Sequence, residues 1–123
     1  MKMKLLRDIM NSEVATVRMD DSLESVSNRQ NIQDDCCIIV VENDSIVGVV
    51  PTASLKRGKA PQNGRTILDI MKLQSTTARP NQTIRDGFLI MRKHGLTCLP
   101  IAERGQIHGI VTFGVLKKYM KPR

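Results

Sequence analysis

Cys98-Leu99-Pro100-Ile101-Ala102-Glu103-Arg104-Gly105-Gln106-Ile107-His108-Gly109-Ile110-Val111-Thr112 reads as two short aliphatic runs folded about a polar turn. Leu99-Pro100-Ile101-Ala102 and Ile107-His108-Gly109-Ile110-Val111 have the length and residue types of strands, and Glu103-Arg104-Gly105-Gln106 joins them, so the stretch predicts a β-hairpin. Moved 61 positions toward the N-terminus, it falls without a gap on residues 37–51, which run Cys37-Ile38-Ile39-Val40-Val41 and Ile46-Val47-Gly48-Val49-Val50 about Asn43-Asp44. Cys37, Glu42, Ile46, Gly48 and Val50 meet Cys98, Glu103, Ile107, Gly109 and Val111 unchanged.

The same register extends outward from the hairpins. Asp8-Ile9-Met10 lands on Asp69-Ile70-Met71, Thr16 and Arg18 on Thr77 and Arg79, and Leu55-Lys56 on Leu116-Lys117. An internal duplication of this length is one supersecondary unit that needs a partner to bury its apolar face. Two copies imply a pseudo-symmetric pair with two related versions of any site. The limits are 5–57 for repeat 1 and 66–120 for repeat 2, with the turn-forming stretch 58–65 as linker.

Each repeat spells β-α-β-β-α, an α/β (α+β) fold. In repeat 2 a short extended piece, Ser75-Thr76-Thr77-Ala78, ends at Pro80, and Thr83 with Asp86 forms a capping-box pattern. Ile84, Phe88 and Met91 give a helical stripe that stops at Gly95, and a last helix follows Thr112 through Val115, Leu116 and Tyr119. Repeat 1 has an extended piece at 14–17, a helix from Ser22 through Val26 and a last helical turn about Leu55. Its first helix is the more polar, with Arg29-Gln30 where repeat 2 has Ile90-Met91; it is either exposed or turned to a partner.

The 123 residues suit one compact domain or two half-domains sharing a core. With no Trp, one Tyr and two Phe, that core is aliphatic and methionine-rich. No apolar run approaches the roughly 18 to 20 residues that span a bilayer, and no signal peptide is expected behind Met1-Lys2-Met3-Lys4. Three cysteines without CxxC spacing point to a reducing cytoplasm. A net charge of +7 admits a polyanionic partner, while the scarcity of aromatic rings argues against a stacking platform for single-stranded nucleic acid.

The duplicated unit, with Asp-Ile-Met at each start and a Gly-aliphatic-aliphatic segment near each end, resembles a tandem cystathionine-β-synthase-domain (CBS) pair over nearly the whole chain. The stretches that carry the resemblance best are Thr97-Cys98-Leu99-Pro100-Ile101 and Gly109-Ile110-Val111-Thr112-Phe113-Gly114-Val115-Leu116. It implies a non-catalytic regulatory module whose repeats pack with pseudo-two-fold symmetry. A regulatory ligand such as AMP, ADP, ATP or an S-adenosylmethionine-like compound would lie in a cleft between them. It also implies a homodimer and an effector domain or protein as partners, and no catalytic cofactor.

On that resemblance the ligand-facing residues are Thr16, Cys37, Ile38 and Ser54 in repeat 1, and Thr77, Thr97, Cys98, Leu99, Pro100, Thr112 and Val115 in repeat 2. The backbone of 97–99 offers N–H and C=O groups to an adenine edge, Ile101 and Ile110 could wall the base, and the Thr112 hydroxyl can cap a helix and meet a phosphate. The family's pattern places an Asp three residues after that Thr to hold the ribose. Here the position is Val115 in repeat 2 and Ser54 in repeat 1, and the Thr position of repeat 1 is Pro51. Loss of such a charge-assisted bond costs roughly 1.5 to 3 kcal/mol, a tenfold to hundredfold weakening. Lys56, Arg57, Lys117 and Lys118 read equally as phosphate contacts or as cations solvated at a helix C-terminus.

Other constellations fall away. His94 and Cys98 are four apart, but Gly95 would end the helix between them, and His108 is the one further His, so no metal set assembles. The acidic doublets Asp20-Asp21 and Asp34-Asp35 lack a partner base. Gly48 and Gly109 lack the Gly-rich company of a phosphate loop and are read as close helix–strand approaches. Nothing combines a nucleophile, a base and an oxyanion site, so no enzyme activity is expected. A dimerisation scaffold with degenerate clefts and, behind it, a basic nucleic-acid binder are the competing readings.

Overall fold

The computed structural model describes residues 4–29, 36–55 and 64–120. They form two compact units, and the units are cut differently from the sequence repeats. One is Ala15–Ser75; the other joins the residues up to Val14 with those from Thr76 onward.

In the unit Ala15–Ser75, β1 (Thr16–Val17) pairs in parallel with β2 (Cys37–Glu42), which forms an antiparallel hairpin with β3 (Ser45–Pro51). β4 (Lys72–Leu73) closes the far edge of this four-stranded sheet. Asn43 and Asp44 turn the hairpin at φ 50° and 63°. A two-residue turn of that hand matches strand twist, and Asn and Asp tolerate it better than most side chains. Helix α2 (Leu23–Ser27) starts at Ser22, whose hydroxyl accepts from Ser25 N. A 3-10 turn at Thr52–Leu55 follows β3, and a second, at Ile67–Asp69, precedes β4.

The other unit repeats this plan. Its hairpin is β5 (Cys98–Glu103) with β6 (Gln106–Thr112). Ala78 bridges Ile101 in parallel on one side, and Asn11 bridges Ile110 on the other, matching β1 and β4 residue for residue. Both hairpins carry a register shift at one repeat position, Val40/Val41 and Ile101/Ala102. Helix α3 (Ile84–His94) begins with the predicted capping box: Asp86 N donates to Thr83 Oγ1 and Thr83 N to Asp86 Oδ2. It ends at Gly95, whose φ of 64° favours glycine. Helix α4 (Phe113–Tyr119) packs on α3.

The leading segments explain the cut. Helix α1 (Leu6–Ile9) donates from Leu6 N to Gln82 O and from Arg7 N to Pro80 O, and so belongs with repeat 2. Its counterpart makes the same bonds with repeat 1, from Ile67 N to Asp21 O and from Leu68 N to Met19 O. The Asp of each Asp-Ile-Met motif fastens its own turn, with Leu5 N donating to Asp8 and Thr66 N to Asp69, each at 2.8 Å. Gly48 and Gly109 admit these segments. A Cβ on Gly48 would lie 2.6 Å from Lys72 O, and one on Gly109 would lie 2.8 Å from Asn11 O. The close approach at each glycine is therefore to the backbone of a leading segment rather than to a helix. Pairing at the sheet edge requires main chain to reach main chain.

The cores are aliphatic. One contains Val17, Leu23, Val26, Ile38, Val40, Val50, Leu55 and Ile67; the other contains Leu6, Ala78, Ile84, Met91, Leu99, Ile101, Val111 and Leu116. Every member but Val26 and Met91 has its duplicate 61 positions away in the other core. Val26 falls on Gly87, where a Cβ would already lie 2.8 Å from a Leu6 methyl. Just past the end of α2, the exposed Arg29 reaches back to the sheet: its Nη1 donates to Thr16 O at 3.0 Å, and its Nη2 lies 3.7 Å from Asp21.

Candidate functional site

In each unit the chain passes from the second hairpin strand into a helical turn beside the start of the first strand. Thr97, Cys98, Thr112 and Val115 gather at this corner in one unit, and Cys37 stands at it in the other. In the unit carrying repeat 2, Cys98 is the register partner of Thr112, and Phe113 N donates to Thr97 O at 2.9 Å. The Thr112 hydroxyl accepts from Val115 N at 3.3 Å, capping α4 as predicted. A hydroxyl that accepts one bond keeps its proton to donate elsewhere. Thr97 is exposed, and its N–H has no acceptor among the described residues. Val115 is half-buried and contributes only its N–H, already given to Thr112.

The remaining candidates of this unit are placed differently. The Leu99 side chain belongs to the core. Pro100 is buried, with its carbonyl accepting from Ala78 N. Thr77 is exposed beside that bridge. Lys117 Nζ sits 5.9 Å from the centre of the Phe113 ring, Arg92 lies 5.7 Å from that of Phe88, and the two rings stack at 5.8 Å. Lys118 is exposed.

The corner of repeat 1 is built otherwise. Thr52 N donates to Cys36 O at 2.9 Å, reproducing the Phe113–Thr97 bond. The Thr52 hydroxyl then accepts from Cys36 N at 3.2 Å and donates to Cys36 O at 3.1 Å. Thr52 is 5% exposed and is the buried polar residue of the described chain. Sequence comparison set Pro51 against Thr112 and passed over Thr52, which falls on Phe113. The available signal was a Thr directly after a Pro that removes both hydroxyl and N–H from the helix start. Ile38, like Leu99, is a core side chain, Cys37 is buried, and Ser54 is exposed. Lys56 and Arg57 lie outside the described residues, as do Asp34, Asp35 and positions 58–63 of the linker.

Thr16 lines a separate open cavity of about 500 Å³ with Val17, Arg18, Asp21, Arg29 and Asp44, toward the turn end of β2. Three of its charged side chains have ionic partners: Arg18 Nε lies 3.8 Å from Glu42 and 3.6 Å from Asp20, and Arg29 Nη2 lies 3.7 Å from Asp21. Among the described residues no group of three or more His, Cys, Asp or Glu is placed to hold a metal ion. His94 is exposed at the end of α3, whereas Cys98 is buried in β5.

The CBS domain family model matches residues 6–58 and again 67–121. The chain belongs to the CBS domain family. Like other members with two copies, it is a small mixed α/β two-repeat module. It is 25% identical over 117 residues to the CBS domain-containing protein YhcV of Bacillus subtilis, covering 93% of this chain and 84% of that protein. Among solved structures, the CBS domain of a CBS domain-containing membrane protein from Sphaerobacter thermophilus is 26% identical, with a TM-score of 0.75 and coverage of 94% and 87%. The CBS domain pair of protein MJ0100, in complex with 5′-methylthioadenosine and S-adenosyl-L-methionine, is 21% identical at a TM-score of 0.74, covering 97% of each chain. Among the described residues of this CBS pair, no helix is long and apolar enough to cross a membrane.

Proposed function

We propose that the chain is a non-catalytic, ligand-sensing CBS-pair module. It binds an adenine nucleotide or related adenosyl compound and passes the bound state to an effector domain or protein, with the module acting as a homodimer. The observation that carries this reading is the Thr97–Thr112 corner, where an uncommitted backbone N–H and a hydroxyl proton stand at one junction. Two donors in that setting suit a ligand with acceptor atoms on a planar edge and a polar tail. The adenosyl class is supported by the ligands of MJ0100, whose CBS pair matches this fold along its full length. Lys117, Lys118, Lys56 and Arg57 are the cations available to a phosphate, and the repeats 5–57 and 66–120 about the linker 58–65 are the sensing halves.

A thermal-shift panel of AMP, ADP, ATP and S-adenosylmethionine tests the reading. A ligand at 100 times its dissociation constant adds about 2.7 kcal/mol, a rise of several degrees for a chain of this size. A panel that stays flat at millimolar concentration removes the sensor. Val115, which cannot hold a ribose hydroxyl, favours the second reading, a dimerisation scaffold. A flat panel on a protein that is dimeric by light scattering would establish that alternative.

A further inference from the structure

Both units build the same strand-to-helix corner, yet the two copies differ in what they leave available. In repeat 1 the hydrogen-bonding groups of Cys36 are consumed. Its carbonyl accepts from Thr52 N and from the Thr52 hydroxyl, and its N–H donates back to that hydroxyl. The side chain doing this is almost wholly buried, and Pro51 before it brings neither a hydroxyl nor an N–H. In repeat 2 the residue at the Thr52 position is Phe113, which cannot reach back. Only the Phe113 N to Thr97 O bond remains, so Thr97 N–H and the Thr112 hydroxyl proton stay available.

We propose that Thr52 is an internal plug that occupies the repeat-1 site in place of a ligand, so that the chain takes one adenosyl ligand, at the Thr97–Thr112 corner. The proposal rests on the sensing function above and adds its stoichiometry and the residue that sets it. A ligand edge approaching Cys36 must displace a hydroxyl that satisfies two backbone groups at once, and a buried group left unpaired is penalised in full. At Thr97 the same edge replaces only water. The duplication therefore carries one working site and one closed by its own side chain.

Titration calorimetry of the full chain with S-adenosyl-L-methionine, and separately with ATP, measures the number of sites. Amide exchange followed by nuclear magnetic resonance identifies which corner responds. One ligand per chain is expected, with Cys36 N–H protected before addition, Thr97 N–H unprotected, and Thr97 alone slowing on saturation. Thr52→Val should speed Cys36 exchange at least about tenfold, the loss of one good hydrogen bond, and leave the Thr97 response in place. Phe113→Thr carries the plug into repeat 2 and should abolish binding. Should that variant fail to fold, Thr112→Val, with weakening of about tenfold, takes its place. Two ligands per chain, or a response at Cys36 instead of Thr97, overturns the plug while the sensor stands. No heat with either ligand overturns both.

Discussion

Gly48→Ala tests the exchange of leading segments that defines each unit. The added Cβ would lie 2.6 Å from Lys72 O and 2.6 Å from the Met71 methyl. The methyl can swing aside, but the carbonyl is main chain and is held by the pairing of β4 with β3, where Gly48 opposes Leu73 and Val49 opposes Lys72. Relief requires Lys72 to retreat by several tenths of an ångström. That movement weakens a short edge pairing worth about 1 kcal/mol per hydrogen bond and strains a packed site, and overpacking alone costs about 1 to 3 kcal/mol. The sum is about 3 kcal/mol, or a fall in melting temperature on the order of 10 °C for a chain of this length. Calorimetric melting of wild type and variant measures it, with urea unfolding as the check on free energy. A Gly48→Ala protein melting within about 2 °C of wild type would refute the close approach and, with it, the docking of residues 66–73 on repeat 1.

Three further outcomes follow from the same geometry. Gly114→Ala lies in α4 with nothing within 4 Å of the added Cβ, so it should stabilise by about 0.5 to 1 kcal/mol, read as a raised denaturation midpoint. Thr83→Ala removes the hydroxyl that accepts from Asp86 N and should cost about 1 kcal/mol in urea unfolding; an unchanged midpoint would contradict the cap. Ile67→Ala empties a fully buried position supplied by the exchanged segment and should cost about 2 to 5 kcal/mol by the same assay. A cost below 1 kcal/mol would place Ile67 outside the core.

The two cores show how far the duplication alone reaches. Leu6, Val17, Leu23, Ile38, Val40, Val50 and Leu55 could each be paired with a partner 61 positions on, and each partner occupies the matching place in the other core. The capping box at Thr83, the left-handed Gly95 and the Asn43-Asp44 turn were also legible, because each depends on residues close in the chain. At the candidate corner the helix cap at Thr112 was legible from its motif, whereas the core burial of the Ile38 and Leu99 side chains came from the fold.

Local chemistry written in duplicate thus determined the element order, the hairpin registers, the caps and the apolar positions. Tertiary structure decided which leading segment serves which repeat. Chain proximity assigns Leu6 and Asp8 to repeat 1, but the bonds to Pro80, Gln82 and Ile110 place them with repeat 2. It also decided that the Thr52 hydroxyl bonds the Cys36 backbone, while the other corner keeps only the bond from Phe113 N to Thr97 O. A hydroxyl satisfying a backbone group 16 residues away is a matter of position and direction in space. No spacing or propensity along the chain encodes it, because the strands between them must first bring the two ends of the hairpin together.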